Sequence, residues 1–154
     1  KIISNWPAGI GFFQNLTKER TDIREISKYW IEAQSRLCKK GKFKFLKTHN
    51  SNCKIGENFF TNSELTAGVI YIVRDPRDVL CSASKHFDLG IEETKDILFN
   101  RWAQTIARKN IEHEITTFLG SWSDNYNSWI ILDDRNSKRK KRRSKKRIKK
   151  TKKL

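Results

Sequence analysis

Residues 1–134 read as an α/β domain, with helices packed on a short parallel β-sheet in three layers. Three observations predict this. Gly68-Val69-Ile70-Tyr71-Ile72-Val73 is an uncharged, mostly β-branched run, the pattern of a strand buried on both faces. Arg74-Asp75-Pro76-Arg77-Asp78 follows at once and carries the chemistry of a helix start. Apolar stripes at helical spacing lie on both sides of this unit along the chain.

Taken in order, residues 1–21 read as loop, because Pro7, Gly9 and Gly11 break any period. Asp22 to about Cys38 reads as a helix, with Ile23, Ile26, Trp30, Ala33 and Leu37 on one face. Thr21 fits its N-cap, Asp22 and Glu25 suit its first turn, and Lys39-Lys40-Gly41 close it. Lys42-Phe43-Lys44-Phe45-Leu46-Lys47 alternates, as a strand with one buried face does. The Asn- and Ser-rich stretch 48–67 reads as loop, and 68–73 as the buried strand. Asp75 then caps a helix over 76–87, with Pro76 at the first position and Asp78 facing the helix dipole. A second helix is expected over 91–109, striped by Leu98, Trp102 and Ile106 and widened by Phe99, Ala103 and Ala107. A third starts near Ser123, where Trp122, Tyr126 and Trp129 stand four and three apart.

The charge is uneven. The 154-residue chain carries 33 Lys and Arg against 17 acidic residues, a net +16. Fourteen of those cations lie in residues 135–154, which hold no acid, so residues 1–134 are close to neutral. The division is therefore a domain over 1–134 and a basic tail over 135–154, expected to be disordered for want of apolar residues. The longest apolar run, Val69 to Val73, is far short of the roughly 18 residues that span a bilayer. The start, Lys-Ile-Ile-Ser-Asn-Trp-Pro, lacks the apolar core of a signal peptide. Cys38, Cys53 and Cys81 are odd in number and widely spaced. They read as packed thiols of a reducing, cytoplasmic protein, not as a disulfide framework or a zinc site. The chain has no Met and opens on Lys1, the pattern of a fragment.

Two segments carry chemistry. In Phe45-Leu46-Lys47-Thr48-His49-Asn50, Lys47 and His49 are two apart at a strand end and project to one side. A histidine there can take a proton from a hydroxyl, and a lysine can neutralise a leaving phosphate oxygen. The same pair also reads as a loop histidine beside a surface lysine. In Val73-Arg74-Asp75-Pro76-Arg77-Asp78-Val79-Leu80-Cys81-Ser82, Arg74 ends the strand at its carboxyl edge and Ser82 lies in the second turn of the following helix. An arginine fork and a hydroxyl converging there hold a phosphate. Alternatively, Arg74 pairs with Asp75 or Asp78 as structural charge.

Joined in this order, "FLKTHN" (45–50), "GVIYIVRDPRDVLCSASKHF" (68–87) and "GSWSDNYNSW" (120–129) resemble the cytosolic-type sulfotransferases over roughly residues 20–130. That resemblance implies sulfuryl transfer from 3′-phosphoadenosine 5′-phosphosulfate (PAPS) to a hydroxyl or amine, on a small-molecule or carbohydrate acceptor, without a metal or a membrane. It implies a three-layer parallel sheet of the P-loop, nucleotide-kinase-like type. It assigns His49 as the base that deprotonates the acceptor and Lys47 as the helper of the leaving phosphate. Arg74 and Ser82 become the 3′-phosphate ligands. Gly120-Ser121-Trp122 and Trp129 match a segment after the acceptor pocket, which equally reads as an aromatic helix face in the core.

The match is incomplete at both ends. Nothing in residues 1–21 resembles the family's phosphate loop, and the basic tail stands where its Arg-Lys-Gly cofactor segment belongs. The expectation is an internal fragment, inactive as it stands. The tail alone offers a second reading, a nucleic-acid-binding protein. Against it stand a tail without aromatic residues for base stacking and a body without a nucleic-acid motif.

Overall fold

In the computed structural model, residues 2, 3, 5–38 and 43–130 are described. The basic tail and the Lys39-Lys40-Gly41 helix end lie outside them.

Strand β1 (Ile2–Ile3) pairs in parallel with β2 (Phe45–Leu46), Ile2 opposite Phe45 and Ile3 opposite Leu46. The ladder continues as Lys47 N–H donates to the Ile3 carbonyl at 2.9 Å and Trp6 N–H to the Lys47 carbonyl at 3.1 Å. A 3-10 turn over Ile10–Phe13 leads to α1 (Ile23–Ser27) and α2 (Trp30–Leu37). An antiparallel hairpin, β3 (Lys54–Ile55) with β4 (Asn58–Phe59), falls within the stretch expected to be loop. Gly56 makes its turn at φ 57°, a conformation glycine adopts without strain. Helices α3 (Pro76–Phe87) and α4 (Ile91–Phe99) pack on each other. Strands β5 (Gln104–Thr105) and β6 (Thr117–Phe118) pair antiparallel, and residues 122–130 form a last helix, α5.

The core is one aromatic cluster. Phe60 sits edge-on to Trp30 at 5.2 Å and to Trp129 at 5.9 Å, with Trp6 at 6.4 Å. Phe13, Ile23, Ile26, Ala33, Ile115 and Phe118 complete it, so it draws on the chain's beginning, middle and end. Edge-to-face ring pairs suit the positive edges and negative faces of aromatic rings.

Five expectations need correction. The first concerns the sheet. The described residues form three two-stranded sheets, of which only β1–β2 is parallel, not a three-layer parallel sheet. The run 68–73 is unpaired: Ile70 is 83% and Ile72 82% exposed. A strand buried on both faces needs neighbouring strands and covering helices, and among the described residues nothing pairs with this run.

Second, the strand 42–47 shrinks to Phe45–Leu46 and buries its other face. Phe43 and Phe45 are 85% and 63% exposed, while Leu46 packs against the core. Phe43, Lys44 and Phe45 all face solvent, so the expected alternation does not hold there, and Leu46 is the strand residue that turns inward.

Third, the helix over 22–38 breaks at Lys28-Tyr29, and its N-cap is Asp22, whose carboxylate accepts from Arg24 N–H at 2.8 Å. Thr21 does not cap it: Asp22 takes the Arg24 N–H, while the Thr21 hydroxyl and N–H both turn to Glu19. Fourth, the helix over 91–109 stops at Phe99. Asn100 Oδ1 accepts from Trp102 N–H at 2.9 Å, an Asx turn that competes with the helical bond. Trp102 and Ile106 are consequently exposed. Fifth, Cys81 is exposed on α3, not packed. Cys53 fits the expectation, since burial pushes its thiol up to about 12.

The helix over 76–87 has the predicted bounds. Asp75 caps it through Arg77 N–H at 2.9 Å, with Pro76 in the first turn. Among the described residues no helix is long and apolar enough to cross a membrane.

Candidate active site

The loop after β2 is placed by its polar side chains. From Lys47 to Asn50 exposure alternates: Lys47 and His49 face solvent, Thr48 is half-buried and Asn50 is buried. The odd positions thus reach the surface together. Asn50 anchors the loop: its Oδ1 accepts from Phe118 N–H at 2.8 Å, and its Nδ2 donates to the Ser51 carbonyl at 2.7 Å. Its own carbonyl accepts from Trp129 Nε1 at 3.1 Å. Ser51 N–H donates to the Phe118 carbonyl at 2.9 Å, and Asn52 N–H to Ser128 Oγ at 2.9 Å. The loop is therefore stitched to β6 and α5. Gly120 makes the close approach possible, with φ at 68° and a Cβ there only 3.1 Å from Ser51 Oγ.

His49 is solvent-exposed as a residue, yet its ring is crowded. Desolvation is the main cause that lowers its pKa below 6.5, and the charges of Lys47 and His86 act in the same direction. A base so tuned is less protonated than a free imidazole at the same pH.

Around α3, the structure separates the two readings of Arg74. Asp75 is taken by Arg77, whose Nε lies 3.0 Å and Nη2 2.6 Å from its two carboxylate oxygens. The Arg77 side chain, and then its backbone N–H, hold the Asp75 carboxyl below its usual range. Arg74 has no carboxylate partner among the described residues, and neither Ser82 nor Lys47 has a side-chain partner there. All three are exposed. A free guanidinium, a free hydroxyl and a free ammonium are the donors that a phosphate or phosphosulfate group needs.

The N-terminal segment does not match a phosphate cradle. The N–H groups of Trp6, Ala8, Ile10, Phe12 and Leu16 all donate to carbonyls of the chain. Trp6 and Phe13 are committed to the core.

Trp129 follows its core reading, buried against Phe60. Trp122 instead stacks on Tyr126 at 6.3 Å, and Tyr126 meets Tyr71 edge-on at 5.7 Å, forming an aromatic wall at the end of the 68–73 run. No hydrogen bond or ion pair joins Lys47 or His49 to Arg74 or Ser82 among the described residues. The link between the two segments is indirect and runs through Asn125. Its Oδ1 accepts from the Tyr71 phenol at 3.0 Å, and its Nδ2 donates to the His49 carbonyl at 3.0 Å.

Sequence reasoning missed Asn50, Asn125 and His86. The signal for Asn125 was present: Ser121, Asn125 and Ser128 recur four and three apart, a polar stripe on the helix that carries Trp129.

The described residues thus form helices with three small sheets and carry Lys47, His49, Arg74 and Ser82 at the surface. The sequence model of the Sulfotransferase domain matches residues 13–140, more than four-fifths of the chain, and the chain belongs to that family. Comparison with curated proteins gives no match, and comparison with solved structures gives none.

Proposed function

We propose that the domain handles PAPS or its product, 3′-phosphoadenosine 5′-phosphate, with Arg74 and Ser82 on the 3′-phosphate. The observation that carries this is the guanidinium of Arg74 at the entry to α3, without a carboxylate partner among the described residues, where Arg77 pairs with Asp75 instead. The nucleotide supplies the sulfuryl group when bound. His49, held neutral, accepts the proton of an acceptor hydroxyl or amine, and Lys47 offers positive charge to the leaving phosphate oxygen. The acceptor is a small molecule or a carbohydrate, and the free thiols suit a cytoplasmic setting. The missing parallel neighbours of 68–73 are proposed as the remainder of the P-loop-type sheet.

The 5′ side is different. The backbone N–H groups of residues 6–16 are largely spent within the chain. The 154-residue chain is therefore proposed to bind nucleotide through its 3′-phosphate and to show no turnover on a phenol and alcohol panel.

Calorimetry on the whole chain tests this. Arg74→Ala should weaken 3′-phosphoadenosine 5′-phosphate by roughly 1.5–3 kcal/mol, the worth of a hydrogen bond to a charged group. Adenosine 5′-phosphate, which lacks the 3′ group, should be unaffected. Equal losses for both nucleotides would sink the assignment, and brisk PAPS turnover would overturn the reading of the N-terminal segment.

A further inference from the structure

Helix α5 reads the backbone of the loop that bears His49. Three of its side chains, spaced three and one apart on one face, each reach a different residue of that loop. Asn125 Nδ2 donates to the His49 carbonyl at 3.0 Å, Trp129 Nε1 to the Asn50 carbonyl at 3.1 Å, and Ser128 Oγ accepts from Asn52 N–H at 2.9 Å. Asn125 differs from the other two because its amide is used on both sides. Its second Nδ2 proton goes to the Leu119 carbonyl at 2.9 Å, and its Oδ1 accepts the Tyr71 phenol at 3.0 Å. A carboxamide has one acceptor end and one two-donor end. The two carbonyls, which can only accept, fix which end is which, and the Tyr71 phenol donates to the Oδ1 that is thereby turned toward it.

We infer that Asn125 is the positioning residue of the candidate base: its amide, oriented by the His49 and Leu119 carbonyls and braced by Tyr71, holds the His49 main chain and sets where the imidazole stands. Tyr71 lies three residues before Arg74, so the same amide ties the base-bearing loop to the run that ends in the candidate phosphate ligand. Without the amide the chain at His49 loses its one side-chain tie among the described residues, and the ring moves out into water. The inference rests on His49 as base for its functional meaning, but its test does not depend on turnover.

The chain has three histidines, His49, His86 and His113, few enough to assign by single His→Gln variants. The imidazole resonances of the labelled 154-residue chain are followed against pH. Charged groups facing His49 are Lys47 on its own segment and His86 from α3, and both disfavour its protonated form. Freed from the crowded position, His49 should titrate closer to 6.5, the ordinary value. Asn125→Ala should therefore raise the His49 midpoint and leave that of His113 in place. Tyr71→Phe, which removes one hydrogen bond from an exposed phenol, should raise it in the same direction by less, and it serves if Asn125→Ala fails to fold. Ser128→Ala loosens Asn52 without touching His49, so it should lower the thermal midpoint and leave the His49 titration unmoved. A lower thermal midpoint with an unmoved His49 titration in both Asn125→Ala and Tyr71→Phe would make Asn125 merely structural and overturn the inference. If nucleotide fails to bind the wild-type chain, the proposed function falls, while the His49 titration still decides the role of Asn125.

Discussion

Replacing Asn50 with alanine removes two hydrogen bonds from a side chain that is only 1% exposed. The backbone bonds survive, including the Trp129 indole to the Asn50 carbonyl at 3.1 Å. What is lost is the acceptor for Phe118 N–H at 2.8 Å and the donor to the Ser51 carbonyl at 2.7 Å. Both orphaned groups belong to buried residues, so water does not readily replace the amide. A buried polar group left unsatisfied costs about 1–3 kcal/mol. Two such groups put the total at roughly 2–6 kcal/mol, a large part of the ~5–15 kcal/mol that holds a domain folded. At about 2–4 °C per kcal/mol for a chain of this size, the thermal midpoint should fall by roughly 4–24 °C. Trp129 fluorescence during heat or urea unfolding reads this directly, because the indole sits on the affected loop. Asn127→Ala, an exposed asparagine of the same helix, is the control and should stay within about 0.5 kcal/mol of wild type. Indistinguishable midpoints for Asn50→Ala and Asn127→Ala would refute the claim that this amide holds the loop.

Two further outcomes are expected. With Ile72 at 82% exposure, Ile72→Ala should shift stability by no more than about 0.5 kcal/mol, whereas an isoleucine inside a sheet would lose about 2–5 kcal/mol; a loss in that range in urea unfolding would restore the buried strand. Glu19, held down to about 2 chiefly by the N–H groups of Asp22 and Thr21, and Glu114, held to about 2 by Arg108, have folded values below their ordinary 4.5. Their contribution is therefore complete above pH 4.5 and lost as pH falls toward 2. Urea midpoints should drop across that window, and less steeply in Glu19→Gln; identical slopes would count against the Glu19 turn.

Local chemistry was legible in the sequence. The α3 helix has its predicted bounds because Asp75, Pro76 and Asp78 settle a helix start within four residues, and no distant contact is needed. The projection of Lys47 and His49 to one side was equally readable, since alternation is a property of the strand itself. The family was legible too, in motif order, and it holds over residues 13–140. The N-cap at Thr21 and the helix beyond Phe99 differ from the expectation because neighbouring side chains compete for the same backbone groups: Asp22 takes the Arg24 N–H, and Asn100 takes the Trp102 N–H.

The sequence by itself determined where helices can begin, which residues carry charge and nucleophilic or basic groups, and the family to which the chain belongs. Only the tertiary structure decided which face of each element is inward. Phe45 and Ile72 point to solvent while Trp6 and Trp129, more than a hundred residues apart, share one core. It also decided that Arg77 rather than Arg74 reaches Asp75, which leaves Arg74 without a carboxylate partner among the described residues. Asn125 gained its role only when a helix near the end of the described chain came to lie on the loop at His49. The physical reason is common to all three. Capping and charge act over a few residues, whereas burial and hydrogen-bond pairing depend on which distant groups arrive, and the hydrophobic drive that brings them has no direction along the chain.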